Sequence, residues 1–123
     1  NISISLNDYH QLSDNTLEEI MEKMNVIEDI VEDIDISYSQ GVLNLNLGKH
    51  GIWVINKQTP NRQIWWSSPV SGPHRFEYHT KDGKSGWYLT RNLSSNQNQN
   101  SSSTEIISIL SSEMKAVTGK GFD

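Results

Sequence analysis

The hydrophobic repeat of this chain changes period near Ile34, and that change restricts the fold more than any other feature. From about Asn7 to Ile30, the residues Tyr9, Leu12, Thr16, Leu17, Ile20, Met24 and Ile27 recur at three- and four-residue steps, so they gather on one face of a helix. Asn7 or Asp8 is the expected N-cap, and the acids of the early turns suit the positive end of the helix dipole. In DIDISYSQGVLNLNLG the step becomes two: Ile34, Ile36 and Tyr38 share a face, Gln40-Gly41 supplies a turn, and Val42 to Leu47 alternates again.

Two more strand pairs follow. IWVINKQ (Ile52 to Gln58) and RQIWWSS (Arg62 to Ser68) flank Thr59-Pro60-Asn61, where proline presets a tight turn. RFEYHT and GWYLTR flank Lys81 to Ser85. Asn92 to Ser103 is low-complexity and polar, too poor in apolar surface to repay its ordering, and reads as a flexible surface insertion. Helical spacing returns with Ile106, Ile107, Ile109, Leu110, Met114 and Val117, with Ser103 or Thr104 as N-cap and Gly119 as the stop.

Helix, about six antiparallel strands, helix is the order of an α+β two-layer α/β sandwich, with both helices packed on one face of the sheet. At 123 residues the chain makes one domain, 1–123. Its other sheet face is expected to be polar, yet here it would carry tryptophan and amides, which marks it as a binding surface.

No apolar run approaches the length of a membrane span, so no membrane insertion is expected. With no cysteine there is neither a disulfide nor a thiolate metal site. The opening NISISLNDYH has neither the secretion-signal nor the transit-peptide pattern. Charge is uneven: ten acids stand against Lys23 alone in residues 1–35, a net −9, while the whole chain carries −5. That acidic end argues against nucleic acid as its ligand and for cations or a basic partner.

His10, Asp14, Glu18 and Glu22 follow one another at intervals of four, drifting about 40° per step along one exposed stripe of the helix. Like charges at that spacing repel. Glu28, Asp29, Glu32, Asp33 and Asp35 carry the negative surface on to the first strand. Hard or borderline cations would relieve the repulsion through carboxylate oxygens, in an open and adaptable site. The alternative is a solvated helix face, and no EF-hand, HExxH or Glu-x-x-His pattern is present.

On a strand, Ile64 and Trp66 point to one side and Gln63 and Trp65 to the other. Ile64 and Trp66 suit the core; Gln63 and Trp65, with Asn56 or Gln58 and with Asn61, suit the free face. An indole flanked by amides and by Arg62 and Arg75 has the composition of a protein-binding hot spot. The alternative is that Trp65 packs under a loop and the amides close turns. No nucleophile with a base accompanies it, so no catalytic residue is assigned.

INKQTPNRQIWWSSPVSGPHRF, with SYSQGVLNLNLG and the acidic helix segment YHQLSDNTLEE, closely resembles the frataxin family, especially its eukaryotic form with N-K-Q-x-P-N-[KR]-Q-I-W and S-G-P-x-R segments. The similarity spans Tyr9 to Arg91 and resumes at the last helix. It implies the same layered sandwich and an accessory role in mitochondrial iron–sulfur cluster assembly. Iron, as Fe²⁺ or Fe³⁺, would bind weakly on an exposed ridge, with no organic cofactor. Matched ridge residues are His10, Asp14, Glu18, Glu22, Glu32, Asp33 and Asp35.

The resemblance also implies docking on a complex of cysteine desulfurase and scaffold protein. Matched partner-binding residues are Asn56, Lys57, Gln58, Asn61, Gln63, Trp65 and Arg75, and Arg62 sits where the motif accepts either base. Asn15 and Asn25 stand where the family is often acidic, so a weaker ridge is expected. The mitochondrial matrix is the implied compartment, and a monomer that oligomerises with iron the implied assembly. A ferroxidase or iron store on the same ridge is the alternative function.

Overall fold

The computed structural model describes residues 4–90 and 104–122. The polar insertion at Asn92 to Ser103 lies outside the described residues, as does Arg91. Ser5 is extended (φ −66°, ψ 163°), and its hydroxyl accepts a hydrogen bond from the Asp8 N–H at 3.1 Å. Helix α1, Leu6–Lys23, is therefore capped by Ser5 and not by Asn7 or Asp8. Leu6 and Asn7 are exposed and lie outside the buried repeat, so periodicity could not show the first turn.

The expected helix to Ile30 is also divided. At Met24 ψ is −10°, and the Ile27 N–H donates to the Met24 carbonyl three residues back at 2.9 Å. That tightening ends α1 and leaves a single turn, α2 (Asn25–Glu28). Met24 and Ile27 both stay fully buried across it.

The strands are β1 (Asp35–Ser39), β2 (Val42–Asn46), β3 (Ile52–Gln58), β4 (Gln63–Ser68), β5 (Gly72–Lys81) and β6 (Lys84–Leu89). They form an antiparallel meander in chain order. Two of its hairpins turn on residue pairs with positive φ, Gln40-Gly41 (53°, 79°) and Asp82-Gly83 (53°, 81°). Such turns match the twist of the strands, and glycine in the second place meets no Cβ clash. The separator between β5 and β6 is thus two residues, and the expected five-residue span Lys81 to Ser85 is mostly strand.

Both long helices cover one sheet face. Leu43, Leu45, Leu47, Trp53, Ile55, Ile64, Trp66, Phe76 and Trp87 form one core with Tyr9, Leu17, Ile20, Met24 and Ile27, and with Ile106, Leu110 and Met114 of α3 (Ile106–Thr118). Tyr9 also donates its hydroxyl to the Gln63 carbonyl at 2.7 Å, tying α1 to β4. The cap of α3 is Glu105, whose carboxylate accepts from the N–H groups of Ile107 and Ser108, both at 3.1 Å. Thr104 stands one residue too early and instead joins the sheet edge, its carbonyl accepting from Leu89 of β6, and Ser103 lies outside the described residues. Gly119 ends the helix in the left-handed region (φ 87°), as expected.

One buried carboxylate escaped the sequence reading. Glu113 of α3 accepts from Trp53 Nε1 at 2.9 Å, Ser68 Oγ at 2.6 Å and Ser71 Oγ at 2.5 Å. Its charge is matched by three donors, as burial demands. Within the same turn, Pro69 lies so close to Gly51 (φ 108°) that a Cβ added there would come within 2.7 Å of it. The β4–β5 turn is therefore held both by Glu113 and by close packing on Gly51.

Candidate functional site

Strand alternation builds the first surface. Ile64 and Trp66 enter the core, while cross-strand register lines up Asn56, Trp65 and Arg75 in one row of the uncovered face and Gln58, Gln63 and Glu77 in the next. Trp65 Nε1 donates to Gln63 Oε1 at 2.6 Å, and Gln63 Nε2 donates to Glu77 Oε2 at 2.9 Å. An indole only donates and a carboxylate accepts, so the two neighbours fix which way the Gln63 amide faces. The Arg75 guanidinium stands 4.6 Å from the Trp65 ring centroid.

Trp65 is thus held by its polar edge and by one ring face while remaining half-buried and open to solvent. It adjoins a depression of about 540 Å³ lined by Val54, Asn56, Pro73, Arg75 and Thr90. Asn61 and Arg62 stand at the end of the sheet. Arg62 is left-handed (φ 53°) and donates Nη1 to the Thr59 carbonyl at 2.8 Å, closing the 3₁₀ turn Thr59–Asn61.

The second surface runs along α1 and the start of β1. Glu18 and Glu22 are exposed, as are Glu32, Asp33 and Asp35, whereas His10 and Asp14 are half-buried. Lys57, expected with the tryptophan, has the strand parity of Trp53 and Ile55 and reaches this surface instead. Its ammonium lies 2.6 Å from Asp14 Oδ1 and 2.9 Å from His10 Nδ1. Burial first, then the charges of Asp14 and Glu18, push the Tyr38 phenol above its ordinary value. Among the described residues no three His, Asp or Glu side chains converge on a point that could hold a metal ion. The row can attract cations in a hydrated, loosely held form, not enclose one.

A family profile described as Frataxin-like domain matches residues 2–120. The chain belongs to the frataxin family. A mitochondrial frataxin homolog of Schizosaccharomyces pombe is 44% identical over 89 residues, which cover 68% of this chain and 53% of that protein. A mitochondrial frataxin of Arabidopsis thaliana is 49% identical over 73 residues, covering 58% of this chain and 39% of the relative. The chain thus spans about half or less of the length of these frataxins.

Trimeric frataxin from Saccharomyces cerevisiae, crystallised in a ferrous complex, aligns with a TM-score of 0.66 at 29% identity, over 98% of this chain and 91% of the yeast one. Frataxin from Psychromonas ingrahamii aligns with a TM-score of 0.70 at 23% identity, over 98% and 99% of the two chains, which speaks for the fold alone. The expected sandwich of two packed helices on six antiparallel strands is the frataxin architecture.

Proposed function

We propose that this chain is an iron-binding accessory protein of iron–sulfur cluster assembly in the mitochondrial matrix, docking on a cysteine desulfurase–scaffold complex and promoting sulfur transfer. The observation that carries the reading is the chain Arg75, Trp65, Gln63, Glu77 on the uncovered sheet face, which presents a fixed aromatic anchor at no further ordering cost. Asn56 lies opposite Trp65 in register, with Gln58, Asn61 and Arg62 toward the end of the sheet, and all four carry hydrogen-bond donors that suit a protein surface. Docking would favour a competent conformation of the partner by differential binding, with no chemistry on this chain.

Family membership, the ferrous complex of the yeast relative and the mitochondrial names of the relatives support iron as the cation of the ridge and the matrix as the compartment. An exposed carboxylate row can also favour Fe³⁺ over Fe²⁺, and the trimeric yeast relative gives weight to an iron oxidase or store. That second reading asks for a preorganised site, and the separated carboxylates supply little preorganisation.

The test is the rate of sulfide production by a reconstituted desulfurase–scaffold complex with the wild-type chain, Trp65→Ala, and the double variant Glu18→Gln/Glu22→Gln, each with and without Fe²⁺. Trp65→Ala is expected to remove the rate enhancement, and the double variant to keep it while losing its iron dependence. An unchanged rate with the wild-type chain, together with Fe²⁺ oxidation faster than in buffer, would replace the accessory reading with the oxidase or store.

A further inference from the structure

Lys57 leaves β3 toward α1 with only 11% of its side chain exposed, and its ammonium lies 5.8 Å from the Tyr9 ring centroid. It meets Asp14 Oδ1 at 2.6 Å and His10 Nδ1 at 2.9 Å. An ammonium has donors and no lone pair, so in this contact the acceptor is His10 Nδ1. An imidazole lone pair and a carboxylate oxygen, one helical turn apart, therefore converge on a single point already occupied by a positive charge.

The same pair of donors is what a divalent cation would take from this part of the helix. The geometry points to Lys57 as a tethered cation that excludes external metal from the His10–Asp14 end of the ridge. This regulation of the ridge rests on the cation-binding reading above. A charge carried on a packed stem competes at an effective concentration on the order of millimolar. An external ion must displace it, while Glu18 and Glu22 remain open. The ridge is then two sites of unequal access, with its half-buried end closed by the protein's own lysine.

The experiment is a calorimetric and NMR titration with Co²⁺ alone, on the wild-type chain, Lys57→Met, Lys57→Gln, Lys115→Met and the double variant Lys57→Met/His10→Gln. Both Lys57 variants keep a stem of similar length, and thermal melts check that they fold. They should bind Co²⁺ roughly fivefold to thirtyfold more tightly, the factor that corresponds to about 1–2 kcal/mol, with the His10 ring signals shifted most. Lys115→Met, which removes a positive charge on α3 that makes no contact with His10 or Asp14, should change affinity by no more than about twofold at physiological ionic strength. Adding His10→Gln should return the affinity to the wild-type value. Equal gains from Lys57→Met and Lys115→Met, or a gain that survives His10→Gln, would overturn the tethered-cation reading while leaving the ridge intact. If neither the wild type nor any variant takes up Co²⁺ along α1, the ridge reading falls as well.

Discussion

The uncovered sheet face and the acidic ridge are built by opposite means. On the sheet the groups that touch the Trp65 ring are matched: Gln63 accepts from the indole and donates to Glu77, and Arg75 covers the ring. Along α1 and β1 like charges stand side by side, and among the described residues Asp14 alone of the ridge carboxylates meets a lysine. A matched network holds one shape and so suits a partner of fixed shape. An unmatched row costs folding energy, a cost that bound cations would lower without requiring a fixed geometry.

The strongest way to break this contrast is to unpin the turn that lies between Trp65 and Arg75. Glu113→Ala leaves the N–H of Trp53 and the hydroxyls of Ser68 and Ser71 without their common acceptor, and should cost about 3 kcal/mol in chemical denaturation. Docking should weaken with it even where the variant is fully folded, while Co²⁺ uptake along α1 should not change. Equal damage to both surfaces would show that they share one support.

Next in size is Trp65→Ala, expected to weaken binding to the desulfurase–scaffold complex by about 2 kcal/mol or more, with little effect on the melting temperature because the ring is half-exposed. Gln63→Leu sharpens the point: it keeps the tryptophan but removes the hydrogen bonds that orient it, and should lose about 1 kcal/mol of binding. If Gln63→Leu binds as the wild type does, the indole needs no orientation and the sheet face differs less from the ridge.

On the ridge the expected signs reverse. Glu18→Gln/Glu22→Gln should raise stability by a few tenths of a kcal/mol at low salt, a gain that fades as salt is added, while cation binding falls. Charge-to-amide changes on a matched surface would destabilise instead.

The smallest effect concerns the tyrosines. Tyr9, Tyr38 and Tyr88 are raised from the ordinary value of 10.0, in each case first by burial. Because their folded values lie above the unfolded one, the stability they contribute is complete below about pH 10 and is lost as pH rises through the folded values. Of the three, Tyr38 is the one that the Glu18 charge also raises. The double ridge variant should therefore lower the phenolate midpoint of Tyr38, read by absorbance against a Tyr38→Phe control, and leave those of Tyr9 and Tyr88 in place.

Much of this was legible in the chain. Period-two alternation was enough to separate Trp65 from Trp66, and the Gln40-Gly41 pair announced its hairpin. The same alternation, followed one strand back, puts Lys57 on the side of Trp53 and Ile55, so its turn toward α1 was available to a stricter reading. Its partner was not, because the approach of β3 to His10 and Asp14 is set by packing across 43 to 47 residues of chain. Glu113 falls in helical register with Ile106, Leu110 and Val117, a position that signalled burial. What it binds depends on a turn from another layer. Ser5 and Glu105 were missed as caps because caps lie outside the apolar repeat, where local hydrogen bonding and not burial chooses the residue.

The central claim is that partner and cation use separate surfaces, and its most direct test is an NMR titration of one isotope-labelled sample with each ligand in turn. The desulfurase–scaffold complex should broaden the Trp65 indole N–H and the amides of Asn56 and Arg75 first, while Co²⁺ should affect Glu18, Glu22 and their neighbours and leave the indole signal unchanged. If the complex acts first on α1, or if Co²⁺ shifts the Trp65 indole as early as the ridge, the two surfaces are one site and the account is contradicted.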